Sequence, residues 1–584
     1  MTNLIIPSVR KSNGTGHLKR CILLAEQLVE QGDSCEFYLS LNDSELQDFK
    51  ARFAGLNQFS LHNSRADMKL TPDRIIMDNR ETSYELWAEW EDLAPLIFLD
   101  EGGEARNYAS YLIDSLPHLA KGEANIKGSP LFDSYTDLQE RGKGTSLLIS
   151  FGGEDPAELT EPTVREILKT TSHQAEDLIV VQGPMAKDFT LPVGVRLVKN
   201  PPNLAPLFKE SKLVITSFGL TPYEAERAGV PVILINPAEV HEKVSPMGGF
   251  RSLGIGQKGI SKIGAFFKEG RMPSLSGENR DLPLVASLIS RLGDAPQAHC
   301  PLCGKRANPV IKRFSDRSFY HCGDCDNYYL VNWNREEEVY DRDYFFDKYK
   351  AQYGKTYLDD FNNIKRVSKV RLAEVKAFLK VNKDNPPLLT DLGCAFGPFL
   401  AAAQEEGFQC RGVEINDDGA AWIEENLKIP VIRGSLEDEN VIHRLRETPG
   451  DVTTLWYVIE HFGAQKELLG NINKSLKIGG VLAFGTPSGK GISARKSLFA
   501  FLEASPADHY VIYTPRGARK ILSRHGFKVL KVKSVGHHPE RFASWVGKKG
   551  SFTYNALMLI SRWFSLGDSL EIYAVKTAEQ GVIQ

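Results

Sequence analysis

No stretch of this 584-residue chain holds the roughly 18 uninterrupted apolar residues that a membrane-crossing helix needs. SFTYNALMLISRWF comes nearest, but Arg562 interrupts it and its length suits a docked helix. The opening residues, MTNLIIPSVRKSNG, lack the charged-then-apolar order of a secretory leader. Charge of one sign is also lacking: 71 Lys and Arg stand against 74 Asp and Glu, a net of −3. Nothing therefore pulls the whole chain towards nucleic acid, and no basic stripe with interleaved aromatics is present. Cysteine is scarce. Eight residues do not make a disulfide framework, and four of them form two Cys-x-x-Cys pairs, a metal pattern suited to a reducing compartment. Short-period repeats and low-complexity tracts are missing too. These absences predict a cytoplasmic protein of several domains, without a transmembrane segment or a nucleic-acid partner.

What is present is alternation. NLIIPSV, SCEFYLS, RIIMDN, PLIFLDE and ASYLID read as strands, and so do SLLISFGG, LIVVQG, VRLVKN, LVITSFG and VPVILIN. Amphipathic helical patterns such as LKRCILLAEQLVEQ and LTPYEAERAGV lie between them. Apolar strands alternating with helices mean parallel sheets covered on both faces. The fold class expected is α/β multidomain: lobes over 1–142 and 143–276, a linker over 277–297, a cysteine ribbon over 298–335, a helical connector over 336–384, and a third doubly wound domain over 385–584.

Cys300, Cys303, Cys322 and Cys325 form two knuckles that place four thiolates as structural zinc requires. Gly304 and Gly323 permit the tight turns. A fully ligated metal leaves no open position for catalysis, so its expected role is folding.

LLTDLGCAFGPFL sets Asp391 and Gly393 at a strand end and Gly397 at a helix start. About twenty residues on, RGVEIN ends a strand in Glu414, placed to accept ribose hydroxyls. With RGSLED, VTTLWYVIEHF and SLKIGGVLAFGTP following in order, this run resembles the class I S-adenosylmethionine-dependent methyltransferases, which have a seven-stranded Rossmann-like sheet. The resemblance implies S-adenosylmethionine as cofactor. It gives Asp391, Gly393 and Gly397 to the methionine-and-ribose loop, Glu414 to the ribose, and Ser435, Leu436 and Glu437 to the adenine. Ala395-Phe396 departs from the usual glycine-rich pattern and should narrow the loop. An NAD-binding fold, which also wants an acidic ribose ligand, is the competing reading. Glu460, His461 and His509 are candidates for the base of methyl transfer or for the pocket lining; Tyr457, Tyr510 and Tyr513 are candidate pocket walls.

The N-terminal stretches GTGHLKRCILLAEQL, LLISFGGEDP and NPPNLAPLFKESKLVITSFGLTPYEAERAGVPVILI resemble a GT-B-type enzyme. The nearest likeness is to the UDP-sugar hydrolase of pseudaminic acid biosynthesis and its spore-coat polysaccharide relatives. It implies a nucleotide-sugar substrate. The turn of Gly14 and Gly16 would present His17 to activate water, and Gly219, Thr221 and Glu224 would hold the nucleotide. The family usually has two glycines before its Ser/Thr-Thr pair, where this chain has Ser217-Phe218-Gly219-Leu220-Thr221. A glycosyltransferase, or a sugar-binding module in which His17 merely caps or packs, fits the same stretches. The combined expectation is a bifunctional enzyme of surface-glycan synthesis, associated with glycan-assembly enzymes. It would hydrolyse a nucleotide sugar with one half and methylate a sugar or sugar nucleotide with the other. A zinc-ribbon RNA methyltransferase is a further alternative.

Overall fold

The computed structural model describes residues 1–9, 16–68, 71–131, 144–275, 282–334, 350, 354–379, 385–542, 545–546 and 549–579. Gly14, and parts of the expected linker and connector, lie outside the described residues. The chain divides into two compact units: residues 1–297 with 313–316, and 298–312 with 317–584.

The first unit contains two parallel sheets. The order in one is Ser60–His62, Ser34–Tyr38, Thr2–Pro7, Arg74–Asp78, Leu96–Leu99, Tyr111–Asp114, Ile126–Lys127. In the other it is Arg196–Lys199, Leu178–Gln182, Ser146–Ser150, Ser211–Thr216, Val232–Asn236, Arg251–Ile255. Strand order reverses beside the first strand of each sheet, where open α/β sheets form ligand crevices at the carboxyl ends. Central strands such as Arg74–Asp78 and Val232–Asn236 are buried along their whole length, as a sheet covered on both faces requires. The helix Gly16–Glu30 buries Leu18, Cys21, Ile22, Ala25 and Leu28, a single stripe at helical spacing.

The second unit holds a seven-stranded sheet. Its order is Val431–Arg433, Gln409–Glu414, Leu388–Leu392, Gly450–Trp456, Leu476–Pro487, Ser569–Lys576, Phe527–Val535. The first five are parallel, while Ser569–Lys576 runs antiparallel to both of its neighbours. This is a Rossmann-like sheet with its last two strands exchanged in order. A four-stranded sheet joins Val310–Arg313, Arg317–His321, Tyr328–Asn332 and Val511–Ile512. The cysteine ribbon thus shares a sheet with a strand from far downstream.

In the first unit, three strands among the described residues escape the sequence reading: Ser60–His62, Ile126–Lys127 and Arg251–Ile255. All are short edge strands with little continuous burial, so their apolar signal is weak. A second difference concerns SFTYNALMLISRWF. Phe552–Trp563 is a helix that buries Ser561 and half-buries Tyr554, Ala556, Leu557 and Met558, so it docks by one face and more thinly than expected.

Candidate active sites

In the first unit, Pro7 pairs with Asp78 at the carboxyl ends of adjacent strands, beside the point where strand order reverses. His17 begins the following helix, and its Nδ1 lies 2.7 Å from Asp78 Oδ1. Asp78 is fully buried and also takes two hydrogen bonds from the Arg20 guanidinium. Arg20 donates onward to Asp100 at 2.6 Å, and Asp100 accepts the Leu116 amide at 2.8 Å. Although burial opposes ionisation, Arg20 and then His17 hold the Asp78 carboxyl well below the usual carboxylate range. A carboxylate on Nδ1 fixes the ring and leaves Nε2 as its second functional nitrogen. His17 is therefore held at its ring by a buried charge network, an arrangement beyond a helix cap.

Residues of the second sheet approach the same place. Lys19, pushed below its usual range by burial, feels the charge of Glu224, and Tyr223 lies near enough to Asp100 to respond to it. Thr221 and Glu224 belong to the short helix Thr221–Arg227, whose start carries no side-chain cap. Gly219 precedes it with open space around its α-carbon. Asn236 fastens the loop from behind: its Oδ1 accepts the Phe218 amide at 3.0 Å and its Nδ2 reaches Glu242 at 2.7 Å.

In the second unit, Gly393 and Gly397 have φ of 70° and 71°. A Cβ at Gly393 would meet Val458 at 2.8 Å, and one at Gly397 would meet Ile423 at 2.9 Å. Only glycine serves both turns. Ala395 between them takes φ 49°, and Phe396 packs its ring against Tyr357, Leu358 and Trp422. Glu414 Oε2 accepts the Ala395 amide at 2.6 Å and Oε1 accepts the Asn416 amide at 2.9 Å. This carboxylate stitches the glycine loop to the next strand, and its remaining lone pairs can accept ribose hydroxyls. Burial raises its pKa. Asp391, beneath the loop, is pushed up to about 8 by burial and accepts a hydrogen bond from Thr454 at 2.6 Å. The Gly434 amide donates to the Glu414 carbonyl at 3.0 Å, which brings Ser435, Leu436 and Glu437 to the same rim. The tight glycine cradle, a buried acid and an acidic strand end together fit a cofactor with a ribose and a cationic centre.

Beyond the fourth strand, Tyr457 adopts φ 61°, a strained conformation for an aromatic residue and of a kind that gathers at functional sites. Glu460 follows, 1% exposed, and burial pushes it up to about 7. His461 Nδ1 lies 2.8 Å from Asp508 Oδ2. The His509 ring stands edge-on to His461, centroids 4.6 Å apart, and burial lowers its pKa to about 4. Donor atoms of Glu460, His461 and His509 all lie within 4.8 Å of one another. The structure thus brings the three candidates together. Tyr513 is fully buried and donates to Gln465 Oε1 at 2.7 Å, so it stands behind the site as support.

The four ribbon cysteines converge, with Cys300–Cys325 and Cys303–Cys322 Sγ separations of 3.6 and 3.5 Å. That spacing suits corners of a tetrahedron around one ion with sulfur ligands near 2.3 Å, a roughly zinc-like length. The left-handed turns fall at Gly304 (φ 72°) and Asp326 (φ 61°), each just after the second cysteine of its pair. Gly323 lies in the turn that follows Cys322, without a left-handed φ.

The sequence reading missed Asp78, Arg20, Asp100 and Asp508. Asp78 ends the strand RIIMDN beside the crevice, and Asp508 directly precedes His509; both positions were legible, but their histidine partners lie 61 and 47 residues away.

A curated relative, an uncharacterized protein of Methanocaldococcus jannaschii, is 23% identical over 273 residues, a match covering 39% of this chain and 54% of that protein. The chain thus spans about half the length of this relative. Among solved structures, an S-adenosylmethionine-dependent methyltransferase from Archaeoglobus fulgidus is 19% identical, with a TM-score of 0.28, over 39% of this chain and 98% of its own. Magnesium protoporphyrin IX methyltransferase from Synechocystis, with bound S-adenosylhomocysteine, is 14% identical, with a TM-score of 0.28, over 40% and 97%. Residues 365–532 match the family described as a methyltransferase domain, and the second unit therefore contains one.

Proposed function

We propose that the second unit methylates a sugar or sugar nucleotide, and that the first cleaves a nucleotide-activated sugar. The observation that carries the methyltransferase reading is the His461–Asp508 pair beside the buried Glu460. S-adenosylmethionine supplies an electrophilic methyl group when bound. Asp391, Gly393, Gly397 and Glu414 hold it, with Ser435, Leu436 and Glu437 at its adenine. His461, its Nδ1 turned to Asp508, takes the acceptor's proton at Nε2. His509 is neutral at physiological pH and lines the acceptor side. Glu460 titrates near neutrality, so it can share the proton that His461 receives. The four cysteines hold a structural zinc.

In the first unit, His17 is the general base that activates water at the anomeric carbon, with Asp78 on Nδ1 stabilising the imidazolium that forms. Thr221 and Glu224 hold the nucleotide. Both reactions on one chain imply consecutive steps on one glycan precursor.

The test is a panel of nucleotide sugars incubated with the full chain and S-adenosylmethionine, read by mass spectrometry. A gain of one methyl group, abolished in His461→Ala, supports the reading. Nucleotide release with water alone supports hydrolysis, while release only with an added sugar acceptor assigns the first unit to glycosyl transfer instead.

A further inference from the structure

The helix Phe552–Trp563 leaves one row of large apolar side chains in solvent. Phe552 is 87% exposed, Leu559 66% and Trp563 89%. At 100° per residue these three fall within an arc of about 40° on the helix, with Ile560 alongside. Trp545 just before the helix and Phe564 just after it are exposed by 67% and 65%. Large aromatics thus flank an apolar stripe at both ends.

Charge around the stripe is one-sided. From Arg541 to Leu566 the sequence has no Asp or Glu, in a chain whose acidic residues otherwise slightly outnumber its basic ones. Arg541 is spent on Asp568, at 2.6 Å. Lys549 and Arg562 have no ion pair among the described residues. An exposed apolar stripe edged by unpaired cations and bracketed by Trp and Phe is what a helix lying in a bilayer interface requires. At 12 residues the helix is about 18 Å long, too short to cross a bilayer.

We propose that this helix attaches the protein to an anionic membrane surface, lying in the plane of the headgroups with Phe552, Leu559 and Trp563 inserted. The absence of acidic residues is the observation that favours an anionic lipid surface over a second copy of this chain: a self-pairing patch would set Lys549 and Arg562 against their own copies.

The experiment is co-sedimentation of the full chain with vesicles of phosphatidylcholine alone and of phosphatidylcholine mixed with phosphatidylglycerol. Binding is expected to the mixed vesicles, weakening as salt is added. Trp563→Ser should weaken it about tenfold. Lys549→Glu with Arg562→Glu should weaken it by at least about twentyfold, at roughly fivefold per charge removed. All three positions are exposed, and an unchanged thermal melt checks that the variants fold. Failure to sediment with the mixed vesicles would overturn the proposal, and so would retention of full binding by Phe552→Ser/Leu559→Ser/Trp563→Ser. A concentration-dependent dimer, seen by light scattering without lipid and abolished by Trp563→Ser, would reassign the stripe to self-association.

Discussion

Replacing Glu414 separates the bracing that the structure shows from the ribose contact proposed for the same carboxylate. Its oxygens accept the Ala395 and Asn416 amides, at 2.6 and 2.9 Å, and the side chain is 4% exposed. In Glu414→Ala both amides lose their partner in a buried place, at about 1–3 kcal/mol each. The loss of about 2–6 kcal/mol is a large share of a typical domain stability of about 5–15 kcal/mol. In Glu414→Gln one amide keeps a carbonyl oxygen and the other faces an NH2 group, so only about 1–3 kcal/mol is lost. The proposed ribose contact behaves differently. A hydrogen bond to a charged acceptor contributes roughly 1.5–3 kcal/mol, so both variants should bind S-adenosylmethionine about tenfold to a hundredfold more weakly. Denaturant unfolding without cofactor reads the first duty, and titration calorimetry well below the melting point reads the second. The expected stability order is wild type, then Gln, then Ala. Wild-type affinity in Glu414→Gln would remove the ribose assignment. Wild-type stability in Glu414→Ala would refute the bracing argument, because two buried amides cannot be orphaned without cost.

Elemental analysis should find one zinc per chain, and Cys322→Ser should lose it and destabilise the second unit, since metal binding of this kind is folding energy. His17→Ala should lower nucleotide-sugar turnover by about a hundredfold to ten-thousandfold while sparing nucleotide binding and methyl transfer, as paired assays on a UDP-sugar panel would read. Asp78→Asn should instead destabilise the first unit by roughly 1.5–3 kcal/mol, because the buried Arg20 then keeps only Asp100 of its two carboxylate partners; wild-type stability on unfolding would contradict that. Asp391, held protonated up to about 8, binds a proton in the folded state that the unfolded chain has lost; stability of the second unit should therefore fall as pH rises from about 4 to 8. Asp391→Asn should flatten that decline in denaturant titrations run across this range, leaving the contributions of Glu460, which is pushed up to about 7, and of Glu414, which burial also raises.

The parallel sheets were legible because their strands are long apolar runs between amphipathic helices, and burial on both faces writes that pattern directly into the sequence. Gly393, Gly397 and Glu414 were legible for a related reason: a short loop and the following strand carry the whole cradle, so its logic is local. The charge partners were not. Asp78 serves His17 from a neighbouring strand, and Asp508 serves His461 from a segment beyond the fifth strand. Only folding brings those positions together, and an aspartate by itself carries no mark of its partner. The Phe552–Trp563 helix misled for a different reason. Its composition resembles that of a core helix, and exposure is a property of what surrounds it.

The division of the second half into a ribbon and a separate catalytic domain is where sequence order and mechanical order part. Tyr328 and Tyr329 pair with Ile512 and Val511, so the ribbon's last strand extends into the segment that carries Asp508 and His509. Asn332 Nδ2 donates to the Ala507 carbonyl at 3.0 Å, and the Leu330 amide donates to Tyr510 at 3.1 Å. Asn327, two residues after Cys325, accepts the Thr514 amide at 2.9 Å and leaves no room for a Cβ at Gly517, which would fall 2.0 Å away. Residues 507–514 are thus gripped at both ends by a module whose own core is too small to hold its shape without a staple. Asp508 and His509 sit inside that grip, facing His461. Loosening the cysteine knuckles would therefore reach Asp508 and His509 through one hydrogen-bonded strand. The ribbon is best understood as the wall that sets the distance between the His461–Asp508 pair and whatever lies before it.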